Sequence, residues 1–250
     1  MKADPEEDLL QESNRGNYSQ VKKLLDAGAY VDTIDEWEET PLMIAAQSGH
    51  IEIIELLLDR GADIEARNIG GQTALYMACE QGYIEAARLL LDRGADIECR
   101  DDYDTTPLLR SVGQGNIEIA RMLIEFGADI NYRTKLGNTA LIATAYNGRT
   151  EIAELLLKHG ADINARDDCG WTTLMRAAYY GHTDIMKLLV KAGADLCIQD
   201  DRGKTALDIL KESHPEKYKQ WMQNTVVKTR RKILKKEDAL DDRCAPDYDI

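Results

Sequence analysis

The sequence predicts an all-α solenoid of stacked helix–turn–helix units, and two periodic series of residues predict it. Thr recurs every 33 residues without an insertion or deletion, at Thr40, Thr73, Thr106, Thr139, Thr172 and Thr205. Gly followed by Ala keeps the same spacing, at Gly28, Gly61, Gly94, Gly127, Gly160 and Gly193. A fixed period of this length is typical of repeat proteins, which present a surface and seldom enclose a catalytic pocket.

One repeat, residues 68–100, indicates why each element forms. Thr73 is of the type that caps a helix N-terminus, and Gly82 is of the type that ends a helix in the left-handed conformation. Two short helices are expected, and their apolar positions have helical spacing: Leu75, Ala78, Cys79, Ile84, Ala87, Leu90 and Leu91. Because two short helices and an extended loop cannot close a core alone, the units must stack on one another.

A short motif recurs in each unit, and its first copy is Thr40-Pro41-Leu42, Ala45-Ala46, Gly49-His50 and Gly61-Ala62-Asp63. In this motif the chain resembles the ankyrin-repeat family. The resemblance implies an all-α ankyrin-repeat solenoid with β-hairpin-like loops. It implies full repeats at residues 35–67, 68–100, 101–133, 134–166 and 167–199, an N-terminal capping repeat at 1–34 and a C-terminal capping repeat at 200–222. Residues 223–250 are expected to form a basic helical extension followed by an acidic tail.

Charge is strongly negative and unevenly distributed along the chain. The formal net charge of −14 argues against a general nucleic-acid binder and favours a protein partner with a basic face. Residues 228–236 carry six basic and no acidic side chains, whereas residues 237–250 carry six acids and one Arg. The structural interpretation of the basic stretch is a capping helix. The alternatives are a partner-binding helix, a nuclear-import-like run, or a helix that binds a membrane surface or nucleic acid.

The cellular compartment is predicted from features that the sequence lacks. No apolar run approaches the length that spans a bilayer, and residues 1–7 lack the basic and apolar parts of a signal peptide. Five Cys make an odd number and include no Cys-x-x-Cys pair, which favours reduced thiols. We therefore expect a cytoplasmic protein, with nuclear entry left open.

Residues that could support catalysis are few and lack a catalytic spacing. His50 and His182 follow the Gly that ends a first helix, where the resemblance implies a structural hydrogen bond between units. The paired acids Asp101-Asp102 and Asp167-Asp168 are expected in loops open to water, where nothing shifts a carboxyl pKa. The sequence thus predicts no enzyme, and no cofactor, metal or small-molecule substrate.

The candidate partner-binding residues come from the resemblance, because ankyrin stacks contact partners with hairpin tips and first helices along a concave face. The residues expected at hairpin tips are Trp37, Ile69, Tyr103 and Trp171, and those expected on first helices are Gly113, Tyr146, Tyr179 and Tyr180. Gly113 is expected to leave a dent beside Tyr146 into which a partner inserts, with the Tyr side chains as a stacking surface. The alternative is that the aromatics cover seams between repeats and that Gly113 relieves crowding.

Two further patterns lie in the hairpins. Glu38 and Asp104 replace a Gly of the other repeats, and because non-Gly residues tolerate positive φ poorly, these two tips are expected to differ in shape. The second pattern is a ladder with one Arg per repeat, at Arg67, Arg100, Arg133 and Arg166. We expect this ladder to form surface ion pairs with local acids, although it could also bind an acidic partner.

Together these observations predict a monomeric, non-enzymatic scaffold or adaptor that binds another protein through a rigid, preformed surface. One alternative is an inhibitor or regulator that occludes a single enzyme. A second alternative is a targeting protein whose C-terminal basic helix binds a membrane surface or nucleic acid.

Overall fold

The computed structural model describes residues 5–223, and its regular structure is helical. The α-helices are α1 (Pro5–Arg15), α2 (Tyr18–Asp26), α3 (Pro41–Ser48), α4 (Ile51–Asp59), α5 (Ala74–Gln81), α6 (Ile84–Asp92), α7 (Pro107–Gln114), α8 (Ile117–Glu125), α9 (Ala140–Asn147), α10 (Thr150–Lys158), α11 (Thr173–Tyr180), α12 (Thr183–Ala192) and α13 (Ala206–Ser213). Helical residues 215–223 follow α13. The β-type pairing found within the described range is an isolated bridge between Arg166 and Thr172. The predicted all-α class is confirmed.

The chain divides into two compact units, called here unit 1 (Met1–Thr134) and unit 2 (Lys135–Ile250). In unit 1 the first helices pack in one row, α1 on α3, α3 on α5 and α5 on α7, and the second helices α2, α4, α6 and α8 pack in another. In unit 2 α11 packs between α9 and α13, and α10 packs on α12. Both rows bury small and aliphatic side chains, so each unit is a stack of helix pairs.

The Thr residues of the 33-residue period begin the first helices. In each of the six, the side-chain oxygen accepts a hydrogen bond from the backbone N–H three residues later, at 3.2–3.3 Å. The predicted helix end at Gly82 is also confirmed, since this residue has a φ of 86°. The periodic residues therefore set the boundaries of the helices.

An Asp or Asn side chain organises the turn in each of five hairpins. Asp35, Asn68, Asp101, Asp167 and Asp200 lie at the start of their hairpins. In every case Oδ1 accepts the backbone N–H groups two and four residues later, at 2.8–3.0 Å. Because both bonds are local, each hairpin tip is held in one conformation without a regular strand.

The two hairpins that lack the usual Gly do not differ in backbone conformation, so that expectation is wrong. Glu38 has a φ of 60° and Asp104 a φ of 63°, close to the 73° of Gly71. The hydrogen bonds that Asp35 Oδ1 and Asp101 Oδ1 accept from the N–H groups of Glu39 and Thr105 hold Glu38 and Asp104 in the left-handed region despite their Cβ atoms. The hairpin geometry therefore outweighs the residue preference, at a cost of about 1 kcal/mol per residue.

Two members of the Arg ladder, Arg67 and Arg166, bind backbone oxygens of the next repeat. Arg67 Nη1 donates to the carbonyl oxygen of Arg100 at 2.9 Å, and Arg166 Nη2 donates to that of Gln199 at 3.1 Å. Ion pairs are present but longer, 3.4 Å from Arg100 to Asp104 and 3.6 Å from Arg166 to Asp201. The predicted surface ion pairs are therefore present at Arg100 and Arg166, and hydrogen bonds to the next repeat are present at Arg67 and Arg166.

Three cysteines of the described residues, Cys79, Cys99 and Cys169, are free thiols. Burial raises the pKa of the Cys99 thiol to about 12. No helix in residues 5–223 is long and apolar enough to cross a membrane. The predicted basic extension from residue 224 onward lies outside the described residues.

Candidate protein-interaction surface

Four aromatic side chains of unit 2 form one continuous group, called the Tyr–Trp cluster: Tyr146, Trp171, Tyr179 and Tyr180. Ring centroids are 5.6 Å apart for Tyr146 and Tyr180, 5.2 Å for Tyr180 and Tyr179, and 5.4 Å for Tyr179 and Trp171. Tilted and edge-on contacts at these separations are favourable. Tyr179 is 47% exposed and Tyr180 is 38% exposed, whereas the other two are half-buried. The structure thus brings together four of the predicted site residues, and their role in binding stays a prediction.

Arg176 on α11 contacts two members of this cluster, Trp171 and Tyr146. Its guanidinium carbon lies 4.6 Å from the centre of the Trp171 ring and 5.5 Å from that of Tyr146. Its Nε donates a hydrogen bond to Asp167 Oδ2 at 2.8 Å, and its Nη2 donates to the same oxygen. The two rings and the carboxylate therefore fix the guanidinium on several sides, which in turn fixes the rings.

Backbone contacts hold the helix ends that carry the cluster. His182 Nε2 hydrogen-bonds the carbonyl oxygen of Tyr146 at 3.3 Å, and His214 Nε2 hydrogen-bonds that of Tyr179 at 2.9 Å. The Tyr146 hydroxyl donates to Asn138 Oδ1 at 3.1 Å, and burial raises the pKa of this hydroxyl. The cluster is therefore organised before any partner binds.

Two sequence-based interpretations of this region are corrected by the structure. Trp171 was expected at a hairpin tip, but it lies four residues after Asp167, directly before the helix-capping Thr172, and Cys169 occupies the tip instead. Asp101 and Asp167 were expected in water but are 6% and 5% exposed. The cost of burying these carboxylates is offset because each accepts hydrogen bonds from its own hairpin.

Sequence reasoning also missed Arg176, which connects two members of the cluster, Tyr146 and Trp171, with Asp167. A signal for it exists in the repeat pattern, because Arg follows a hairpin Asp by nine residues in two repeats, Asp101 with Arg110 and Asp167 with Arg176. In unit 1 Arg110 Nε donates to the Tyr76 hydroxyl at 2.7 Å, and this hydroxyl donates to Asp101 Oδ2 at 2.6 Å. The two Arg residues therefore support their hairpins through different contacts.

The remaining predicted residues lie in unit 1, and three of them are exposed side chains of successive hairpins. Trp37 is 53% exposed, Ile69 is 58% exposed and Tyr103 is 85% exposed. The hairpins pair through their backbones, since Ile69 N–H donates to the Trp37 carbonyl oxygen and Asp102 N–H to that of Gly70, both at 3.0 Å. These side chains therefore follow one another along a row of tips.

Gly113 lies near the end of α7 in unit 1, in open space. A Cβ atom built on it would have no other atom within 4 Å. This finding contradicts the alternative that Gly113 relieves crowding. The predicted dent beside Tyr146, which belongs to unit 2, stays a prediction.

The two His residues that follow a helix-ending Gly, His50 and His182, make structural hydrogen bonds. The expected structural role of His50 and His182 is confirmed, because each hydrogen-bonds a carbonyl oxygen 36 residues earlier. An open pocket of about 350 Å³ in unit 1 is lined by Gly16, Tyr18, His50, Glu52 and Ile53. Among the residues that the structure describes, no group of three or more His, Cys, Asp or Glu is placed to hold a metal ion.

The sequence matches family models for a known repeat along most of its length. The family model for ankyrin repeats (three copies) matches residues 9–101 and 95–167, and the model for ankyrin repeats (many copies) matches residues 169–210. The chain belongs to the ankyrin-repeat family. Ankyrin repeats are a general protein-interaction fold, in which stacked units form an extended binding surface.

Solved structures agree with this assignment. The ankyrin repeat domain of Bcl-3, described as a unique member of the IkappaB protein family, is 31% identical with a TM-score of 0.75. That match covers 83% of this chain and 94% of the Bcl-3 domain. The human ASB11 ankyrin repeat domain is 25% identical with a TM-score of 0.75, over 84% of this chain and 95% of that domain. The comparison with curated protein sequences gave no match.

Proposed function

We propose that this ankyrin-repeat chain is a non-enzymatic adaptor that binds a protein partner through the Tyr–Trp cluster of unit 2. The observation that carries the proposal is a closed series of contacts, in which the rings of Trp171, Tyr179, Tyr180 and Tyr146 follow one another and Arg176 joins Trp171 to Tyr146, with Tyr179 and Tyr180 left partly exposed. Tyr and Trp are enriched among the residues that dominate interface energies. The family membership supports a partner that is a protein.

The side chains of the Tyr–Trp cluster are fixed before binding, which lowers the entropy cost of binding a partner. A side chain that becomes immobilised at an interface costs about 0.5–1.5 kcal/mol of entropy. The rings of the cluster already contact one another, and the Asp167 carboxylate and the carbonyl oxygens of Tyr146 and Tyr179 are already bonded. Because little side-chain entropy is left to lose, a partner that covers the exposed rings of this surface loses less of its binding free energy than it would on a mobile surface.

The test is affinity capture from an extract of cells that express the chain, with quantification of the captured proteins. The double variant Tyr179→Ala/Tyr180→Ala removes the most exposed rings and leaves the residues that contact Arg176 in place. Its matched control is Tyr18→Ala/Phe126→Ala, which removes two exposed rings from unit 1. We expect the partner to be lost with the first variant and retained with the control.

A chain that ends at Gln223 separates the targeting alternative from this proposal. Retention of the partner by this truncation, together with its loss in Tyr179→Ala/Tyr180→Ala, supports the proposal. Capture that is equal for both double variants, or that is lost only on truncation, contradicts it. Circular dichroism and thermal unfolding of each variant establish that the fold is intact.

A further inference from the structure

The acidic charge of the protein is concentrated in one of its two units. Residues 1–134 contain 27 acidic and 12 basic side chains, a net charge of −15. Residues 135–227 contain 12 acidic and 12 basic side chains, a net charge of zero. The overall field therefore attracts a cationic partner to unit 1 and gives no such preference to residues 135–227.

Within unit 1 the exposed apolar side chains Trp37, Ile69 and Tyr103 lie on successive hairpin tips, called here the tip row. The loops that carry them, 35–39, 67–72 and 100–105, contain seven acidic side chains and two Arg. Glu36, Glu38 and Asp102 are exposed beside the apolar residues. Arg67 and Arg100 are engaged with a carbonyl oxygen and with Asp104 respectively. Exposed acids thus neighbour the first and third apolar residues of the row, Trp37 and Tyr103.

The tips are fixed in position, which makes the row a preformed surface. Oδ1 of Asp35, Asn68 and Asp101 holds the three turns through pairs of backbone N–H bonds. Neighbouring tips are connected by backbone hydrogen bonds of 3.0 Å. Asp102 also lies against the preceding tip, since a Cβ built on Gly71 would be 2.6 Å from its Oδ1. A ligand that follows the row therefore meets one exposed apolar side chain at each tip, with exposed acids at the first and third tips.

We propose that the tip row binds an extended segment of a partner protein in which an apolar residue recurs every third position with Lys or Arg between. The period follows from the repeat, because stacked helices lie about 8–10 Å apart and a segment in the polyproline II conformation advances about 3.1 Å per residue and presents the same side at every third residue. The apolar residues of the segment contact Trp37, Ile69 and Tyr103. Its cations pair with Glu36, Glu38 and Asp102, and one of them can stack on the exposed Trp37 ring.

This surface is separate from the Tyr–Trp cluster, so the two proposals can fail independently. The probe is a fluorescein-labelled synthetic peptide, Leu-Lys-Arg repeated four times, titrated with the full chain by fluorescence anisotropy at low salt. We expect saturable binding that Trp37→Ala/Tyr103→Ala weakens at least tenfold. Tyr179→Ala/Tyr180→Ala and Tyr18→Ala/Phe126→Ala should leave the affinity within a factor of two.

A charge series separates the tip row from the general field of unit 1. Glu36→Gln/Glu38→Gln/Asp102→Asn removes three exposed acids from the tips. The matched control, Glu52→Gln/Glu85→Gln/Glu118→Gln, removes three exposed acids from the same position of the second helices α4, α6 and α8. We expect the tip variant to weaken binding at least threefold more than the control and to lower the dependence of affinity on salt.

A second peptide, Ser-Lys-Arg repeated four times, keeps the charge and removes the apolar residues. Weaker binding of this peptide, with no effect of Trp37→Ala/Tyr103→Ala on it, supports the proposal. Equal affinity for both peptides, or equal effects of the two charge variants, overturns it, because binding would then depend on net charge alone. Thermal unfolding of every variant excludes loss of fold as the cause.

Discussion

Arg176→Met is expected to destabilise the protein much more than the same change at Arg110, its equivalent two repeats earlier. Arg176 donates two hydrogen bonds to Asp167, whose side chain is 2% exposed. After the substitution Asp167 Oδ2 loses both donors, although Oδ1 keeps the N–H groups of Cys169 and Trp171. A buried charge left without its partner costs 3–5 kcal/mol, and the remaining bonds reduce the expected loss to about 3 kcal/mol.

Arg110 stands in a different relation to its Asp. It lies 3.8 Å from Asp101 Oδ2, which keeps the hydroxyl of Tyr76 at 2.6 Å when Arg110 is removed. The loss is then mainly one hydrogen bond to Tyr76 and a partly exposed ion pair with Glu80, about 1 kcal/mol in sum. Urea unfolding followed by circular dichroism measures both free energies, and a cost for Arg110→Met equal to or above that for Arg176→Met would refute the reasoning.

The repeat at 68–100 supplies a compensating change. At the positions of Asp167 and Arg176 it has Asn68 and Met77, and Asn68 organises its hairpin as Asp167 does. Asp167→Asn in the Arg176→Met background removes the unpaired charge and keeps the Oδ1 acceptor. We expect the double variant to recover at least half of the lost free energy, and no recovery would show that the buried charge was not the cause.

The other predictions concern single residues. Thr73→Ala removes a helix cap and should lower the free energy of unfolding by about 1 kcal/mol; an unchanged urea midpoint would refute the capping role. Glu38→Gly should raise stability by about 0.5–1 kcal/mol because it relieves a positive φ, whereas Asp104→Gly also loses the contact with Arg100 and should not. Gly113→Ala should stabilise α7 by about 0.5–1 kcal/mol, since its Cβ enters open space, and a loss would indicate a hidden contact. Burial and the charge of Asp35 raise the pKa of Glu39 in the folded protein. Glu39 therefore stabilises the folded state while its side chain is protonated, and this contribution is lost as the pH rises through that pKa. Glu39→Gln should therefore raise the melting temperature at about pH 7 but not at about pH 4, and the same gain at both values would contradict this assignment.

The periodic residues predicted most of the fold, because each acts through local chemistry. Thr73 caps a helix and Gly82 ends one in any stack of this period, so neither depends on distant contacts. At Glu38 and Asp104 a prediction from residue preference alone is wrong, because both residues have a positive φ. Their residue preferences argued for a different turn, but the preceding Asp in each hairpin accepts two backbone N–H hydrogen bonds that fix the backbone.

The candidate site was predictable in part. Aromatic residues at one position of successive first helices indicated Tyr146 and Tyr179 directly. Arg176 could not be found by this means, since an Arg on a helix is usually exposed and its importance depends on a buried carboxylate in the hairpin. The burial of Asp167 is a tertiary effect that composition and spacing do not report.

The central claim, that the Tyr–Trp cluster is the surface that binds a protein partner, is tested most directly by hydroxyl-radical footprinting of the captured complex. Free and bound chains are labelled, and oxidation of each aromatic residue is quantified by mass spectrometry. We predict strong protection of Tyr179 and Tyr180 in the complex, with Tyr18 and Phe126 of unit 1 unchanged. Oxidation of Tyr179 and Tyr180 that is the same in the free and bound chains would contradict the claim.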